Sequence, residues 1–302
     1  MAWQATRAGL RVARRSVALV ATLWLANLAL ALVAAVPTWR ALADAIGPRP
    51  GADVLAEAFS FEVFADLGEL RPGLVAGYLN AAGAVYLLGL VAGLVVTGGA
   101  LEVLTGADGR PFAHRFGRGG FRFFGRFLRL GAITLVAAAI LAALTAGPLF
   151  ALGRYARRES GSEWLSLGVL AAAFAVLGLV LLLALLVQDA ARIRIVREDA
   201  PRILPALAAS VRLVLRSPAA WLSTWAANAL LLLAAFGAYL ALSGTAVLGS
   251  RLAVLVALQQ GFVLARCGLR VALLAAEVAL VPAPAPPLAP AAQVGGVEPP
   301  PV

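Results

Sequence analysis

Four polar residues lie in the last long apolar run of the chain: Gln259, Arg266, Arg270 and Glu277, spaced seven, four and seven residues apart. At about 100° per residue they fall within about 20° of one line along an α-helix. Two chemistries suit such a stripe. One is a polar pathway, or an anion or phosphate site, inside a helix bundle. The other is an arginine pair at the inner interface, with the guanidinium groups snorkelling to lipid headgroups. If Glu277 marks the inner boundary of a bilayer, Arg266 lies about 16 Å deeper at 1.5 Å per residue. An arginine at mid-membrane costs at least about 2.5–3.5 kcal/mol, so it needs an interior position and a partner. Asp189 is the favoured acid, with Glu102 also within reach, and Asn27, Asn80 and Asn228 are candidate hydrogen-bonding groups. The expectation is that Arg266 and Arg270 face the bundle and pair with Asp189.

Other chemistry is poorly supplied. His114 is the only histidine, Cys267 the only cysteine, and all 25 basic residues are Arg, so the chain lacks the lysine of a phosphate-binding loop. No Ser–His pairing or pair of intramembrane aspartates is available, and no His/Cys set for zinc. The sequence therefore assigns no catalytic, cofactor-binding or metal-binding residue, and the chain reads as not an enzyme.

The elements that must position the stripe are set by composition. Of 302 residues, 62% are hydrophobic and 13% charged, against about 45–50% and about 25% in a soluble chain. A single water-soluble core cannot hide that much apolar surface, and the bilayer is the natural second solvent. A spanning helix needs roughly 20 apolar residues. Six runs meet that length, at about 17–37, 74–98, 131–152, 165–188, 219–242 and 248–271. The basic N-terminus followed by a run longer than a signal core reads as an uncleaved first span. The fold expected is all-α: a six-helix integral membrane bundle over residues 1–281, with interfacial amphipathic helices.

Arginine placement orients the bundle. With the N-terminus inside, 18 of the 25 arginines fall on the inner side and seven on the outer. The inner set is Arg7, Arg11, Arg14, Arg15, Arg110, Arg115, Arg118, Arg122, Arg126, Arg129, Arg192, Arg194, Arg197, Arg202, Arg212, Arg216, Arg266 and Arg270. The outer set includes one local dissent, the cluster Arg154, Arg157 and Arg158. The positive-inside rule then gives both termini in the cytoplasm and an inner-membrane location. A pI near 11.3 can signal nucleic acid, but arginines that flank apolar runs set topology instead, so no nucleic-acid partner is expected.

The chain also repeats itself. Arg11, Arg15, Ser16, Ala18, Trp24, Ala26 and Asn27 recur at the same spacing as Arg212, Arg216, Ser217, Ala219, Trp225, Ala227 and Asn228. Each even-numbered run ends in a lone acid: Glu102, Asp189 or Glu277. Together these suggest three in–out–in hairpins on one plan.

The connections carry amphipathic patterns. Residues 38–73 read as one or two short helices broken around Ser60. In residues 115–130, Arg118, Arg122, Arg126 and Arg129 share one helical face, while Phe116, Phe123, Phe127 and Leu130 share the opposite one. That suits an interfacial helix with its aromatics in the acyl boundary. After a break at Glu198–Pro201, a second such segment carries Arg212 and Arg216. Both inner connections read as basic collars, and Arg118, Arg122, Arg126, Arg129, Arg212 and Arg216 as contacts for anionic lipid headgroups, each attracted by about 1 kcal/mol near the surface. Residues 282–302, rich in Pro, read as a disordered cytoplasmic tail. An additional protein partner or a homo-oligomer is compatible with the pattern.

The six runs, the Gln188-Asp189-Ala190-Ala191-Arg192-Ile193-Arg194 exit from the fourth, and the Gln259-Gln260 to Arg266/Arg270 sequence of the sixth resemble a loose group of bacterial six-helix inner-membrane proteins. That group is similar in layout to the membrane domain attached to some glycerophosphodiester phosphodiesterases. The resemblance covers about residues 1–281 and implies a membrane domain; the paired acids and histidines of the catalytic domain are absent, so it implies no hydrolase activity. The function expected is a non-catalytic scaffold, accessory subunit or lipid-interacting protein, with a small transporter or channel built on the sixth-run stripe as the alternative.

Overall fold

A computed structural model describes residues 2–46, 72–106, 109–159, 163–245 and 252–283. Among them the protein is all-helical, with no strand. In chain order the helices are α1 (Ala2–Arg15), α2 (Val17–Ile46), α3 (Pro72–Thr105), α4 (Phe112–Glu159), α5 (Glu163–Arg197), α6 (Ile203–Arg216), α7 (Pro218–Ser243) and α8 (Leu252–Leu280). Ala- and Leu-rich sequence favours this outcome, since both residues lose little on entering a helix. Most of the 38–73 connection and of the 282–302 tail lies outside the described residues.

Among the described residues, five helices are long and apolar enough to cross a membrane: the segments Val17–Val36, Asn80–Thr105, Phe112–Arg158, Glu163–Arg197 and Pro218–Ser243. Large apolar side chains stand uncovered along them, among them Tyr86, Leu87, Leu135, Leu144, Leu230 and Leu233. A water-soluble monomer rarely exposes so continuous an apolar surface. Helix α8 differs in character, carrying Gln259, Gln260, Arg266, Arg270 and Glu277 along its length.

The buried core collects at one end of the bundle. It joins Leu19 and Leu23 of α2, Ala100 and Leu101 of α3, Phe123, Phe127 and Leu130 of α4, Ala190, Ala191, Ile193 and Ile195 of α5, and Val271, Leu274 and Val278 of α8, with Val281 just beyond it. The arginine-rich segments converge on this same end. Helix α4 packs against both α3 and α5, while α8 packs against α1, α2 and α7.

Two close approaches fix this end. At the α3–α4 crossing a Cβ on Gly98 would sit 2.9 Å from the Gly119 carbonyl oxygen, so the backbones meet only because both positions lack one. Where α1 lies on α8, a Cβ on Gly9 would overlap the Ala272 carbonyl and stand 3.2 Å from the Ala276 Cβ.

The repeat has a structural counterpart. Helices α1 and α6 are each 14 residues long. Each ends in arginine, passes through a single serine (Ser16 or Ser217) and continues into a long apolar helix. Pro218 occupies the first turn of α7 as its missing N–H allows. The Ser217 hydroxyl does not cap that helix; it donates back to the Leu213 carbonyl at 3.3 Å.

One expectation is corrected here. The aromatic face of residues 115–130 does not turn outward to an acyl boundary. Phe123 and Phe127 are fully buried in the protein core, and the segment runs without a break into the apolar part of α4. A Phe stripe is satisfied equally by lipid or by protein, and here α3 and α5 supply the protein.

Candidate functional site

Helix α5 brings Asp189 to the centre of an ion cluster. Arg192, one turn on, donates to the Asp189 carboxylate at 2.9 Å, and both side chains are only 13% exposed. Arg270 of α8 lies 3.8 Å from the other carboxylate oxygen, with its own side chain 41% exposed. Arg192 also lies over the Phe127 ring, 5.8 Å from its centroid. Arg270 thus reaches Asp189, but Arg266 does not. Among the described residues Arg266 makes no ion pair and is exposed. The closest partner of Asp189 is thus the local Arg192, whose i, i+3 spacing is the signal in the sequence, rather than an arginine of the sixth run.

The four residues of the stripe do not share one environment. Gln259 is exposed, Arg270 half-buried, and Glu277 1% exposed with no hydrogen bond to either carboxylate oxygen. The neighbouring Gln260, not Gln259, makes the inter-helix contact, accepting from the Trp24 indole N–H at 3.0 Å. The reason is packing. Gly9 of α1 lies against Ala272 and Ala276 of α8, close to the buried Glu277, while Gln259 near the other end of α8 is exposed. Glu277 lies beyond the end of the 248–271 run. Burial first, and the adjacent Asp189 second, push its carboxyl well above the ordinary 4.5, with Arg270 and Arg192 opposing.

Beside this cluster, where α2, α3, α7 and α8 meet, is a cavity of about 450 Å³ whose lining includes Asn27, Thr97, Asn228, Arg266, Cys267 and Arg270. Asn27 and Asn228 are equivalent positions of the repeat. The Asn27 amide donates to the Leu23 carbonyl at 2.8 Å and to the Cys267 Sγ at 3.7 Å. The side chains of Thr97 and Asn228 make no hydrogen bond with any described residue. A larger cleft, about 640 Å³, opens between Arg154, Arg157, Arg158 and Ser166. Its three arginines are exposed.

The collar arginines divide into two sets. Arg122 and Arg126 both bind Asp199, the second at 2.8 Å. Asp199 has φ 46°, in the left-handed region, and the Ala200 N–H donates to the Ile195 carbonyl at 3.2 Å, the closing bond of a Schellman-type helix end. Arg118, Arg129, Arg212 and Arg216 are exposed and make no ion pair among the described residues. Other arginines cap helix ends, a role missed in the sequence. Arg115 donates to the Glu102 and Val103 carbonyls at 3.1 and 2.9 Å at the end of α3. Arg197 donates to the Val281 carbonyl at the end of α8, and Arg126 to the Ala200 carbonyl at 3.3 Å after α5. Cations at helix C-termini are favoured by the dipole and by the unpaired carbonyls there.

No protein-family model, curated protein or solved structure matches this chain.

Proposed function

We propose that this chain is a non-catalytic protein of the cell inner membrane that holds anionic lipid headgroups at its cytoplasmic face, as a scaffold or accessory subunit. In this reading α8 supplies a sixth span over about 248–271, and both termini are cytoplasmic. The observation that carries it is the division of the collar. Arg122 and Arg126 are spent on Asp199, while Arg118, Arg129, Arg212 and Arg216 are left exposed without an acidic partner among the described residues. Free guanidinium groups beside an apolar helix bundle match phosphate at the headgroup level.

The test is lipid enrichment around the full-length protein. Reconstituted into nanodiscs of mixed phosphatidylcholine and phosphatidylglycerol, the wild type should concentrate the anionic lipid, and added salt should weaken that enrichment. Replacing Arg118, Arg129, Arg212 and Arg216 together with Gln should abolish most of it, while replacing Arg122 and Arg126 should have a smaller effect. Equal enrichment in wild type and the fourfold variant overturns the reading.

A second reading, a small transporter or channel, draws its support from the polar cavity at Arg266 and Arg270. Gln259 is not among the residues that line it, which leaves the polar stripe interrupted on the way to the far side.

A further inference from the structure

We propose that the cavity between α2, α3, α7 and α8 is a binding site for a single phosphate group, held by Arg266 and Arg270 with Asn228 and Thr97 as hydrogen-bonding partners. The inference depends on the membrane-embedded reading above but uses none of its collar arginines.

Arg192, Arg266 and Arg270 bring three cations to this part of the bundle. Asp189 contacts two of them, Arg192 at 2.9 Å and Arg270 at 3.8 Å. Glu277 is the remaining acid, and neither of its oxygens has a hydrogen-bond partner. Even with both acids ionised, the cluster keeps one surplus positive charge, and with Glu277 protonated it keeps two. Arginines inside a membrane face a cavity or partner an opposite charge, because hydrocarbon offers neither hydration nor counterion. Arg266 faces this cavity and has no acid on it among the described residues.

Shape and donor chemistry point the same way. The cavity, at about 450 Å³, exceeds what a bare halide needs and accommodates a tetrahedral oxyanion with its attached group. Arg presents planar, multiple N–H donors matched to phosphate oxygens. The Asn228 amide and the Thr97 hydroxyl add donors without a described partner. Two asparagines from equivalent repeat positions, Asn27 and Asn228, line the cavity from α2 and α7. The Asn27 amide is already committed to Leu23 and Cys267, which leaves Asn228 as the free member of the pair.

A phosphate here has two possible sources, a phospholipid headgroup and the free ion. The experiment separates them. Full-length protein, purified and stripped of lipid in detergent, is titrated calorimetrically with inorganic phosphate in one arm and with dihexanoyl phosphatidylglycerol in the other. At least one should bind; binding of the short-chain lipid alone identifies a headgroup, and binding of inorganic phosphate identifies the free ion. Arg266→Gln should weaken that binding about ten- to hundred-fold, the loss of one charge-assisted hydrogen bond. Asn228→Leu, which disturbs no ion pair, should weaken it too and carries the test if Arg266→Gln fails to fold. The fourfold collar variant should bind at this site like wild type. A variant that loses lipid enrichment yet keeps the titration, or the reverse, therefore tells which of the two readings has failed. Binding of neither probe to wild type, or unchanged affinity in folded Arg266→Gln and Asn228→Leu, overturns the proposal.

Discussion

Asp189 should couple strongly to Arg192, weakly to Arg270 and not at all to Arg266. The perturbation is a set of three double-mutant cycles, each combining Asp189→Leu with Arg192→Leu, Arg270→Leu or Arg266→Leu. The Asp189–Arg192 pair is a 2.9 Å contact with both side chains 13% exposed, so it behaves as a charge-assisted hydrogen bond sheltered from water, for which about 1.5–3 kcal/mol is expected. Arg270 stands 3.8 Å away and is 41% exposed; solvent screening reduces its term to under about 1 kcal/mol. Arg266 makes no contact with Asp189, and its cycle should close additively, within about 0.5 kcal/mol. The assay is equilibrium unfolding in mixed SDS–detergent micelles, followed by the fluorescence of the six tryptophans. Asp189→Leu alone should be more damaging than Asp189→Leu combined with Arg192→Leu, since only the single variant strands Arg192 without its acid in a buried setting. Coupling to Arg266 as large as to Arg192 would refute the placement of these groups.

Three further outcomes follow from the same packing. Gly9→Ala should destabilise by about 1–3 kcal/mol, because the obstructing atom is α8 backbone that cannot move aside; Gly125→Ala, with nothing within 4 Å, should instead be neutral or gain up to about 1 kcal/mol of helix stability. Phe127→Ala should cost about 3–5 kcal/mol by opening a cavity in the core, whereas Phe121→Ala, on the exposed side, should cost far less; thermal unfolding in detergent separates the two. Glu277 has its folded-state proton affinity raised, so the native state retains a proton that the unfolded chain releases, and stability falls as pH rises above about 4.5 toward the raised value. Glu277→Gln should therefore flatten the pH dependence of unfolding and be more stable relative to wild type at pH 8 than at pH 5.

The helices were legible in the sequence because apolar length and Ala/Leu content report directly on local structure. So was the repeat: Ser16 and Ser217 sit at the same joint between a 14-residue amphipathic helix and a long apolar one. What each face touches was less legible. The pattern of Phe123 and Phe127 says that one side is apolar, not whether lipid or protein covers it. The docking of α1 on α8 turns on Gly9, a residue whose meaning appears only when the partner backbone is in place. The stripe from Gln259 to Glu277 is straight in sequence but crosses from an exposed to a buried environment, and α1 packs at its buried end, with Gly9 against Ala272 and Ala276. Arg115 and Arg197, counted in the sequence toward topology, also cap helix ends, a use that spacing within one helix cannot reveal.

The proposed reading puts the arginine-rich end of this bundle in the cytoplasm beneath a six-span membrane domain. Site-directed cysteine labelling tests it directly, since Cys267 is the only native thiol and can be removed as Cys267→Ala. In that background Arg118→Cys, Arg212→Cys and Arg157→Cys are each exposed to a membrane-impermeant maleimide in intact cells and in inverted membrane vesicles. The account predicts labelling of the first two only in inverted vesicles and of Arg157→Cys only in intact cells. Labelling of Arg118→Cys or Arg212→Cys from outside intact cells, or of all three from the same side, would contradict it.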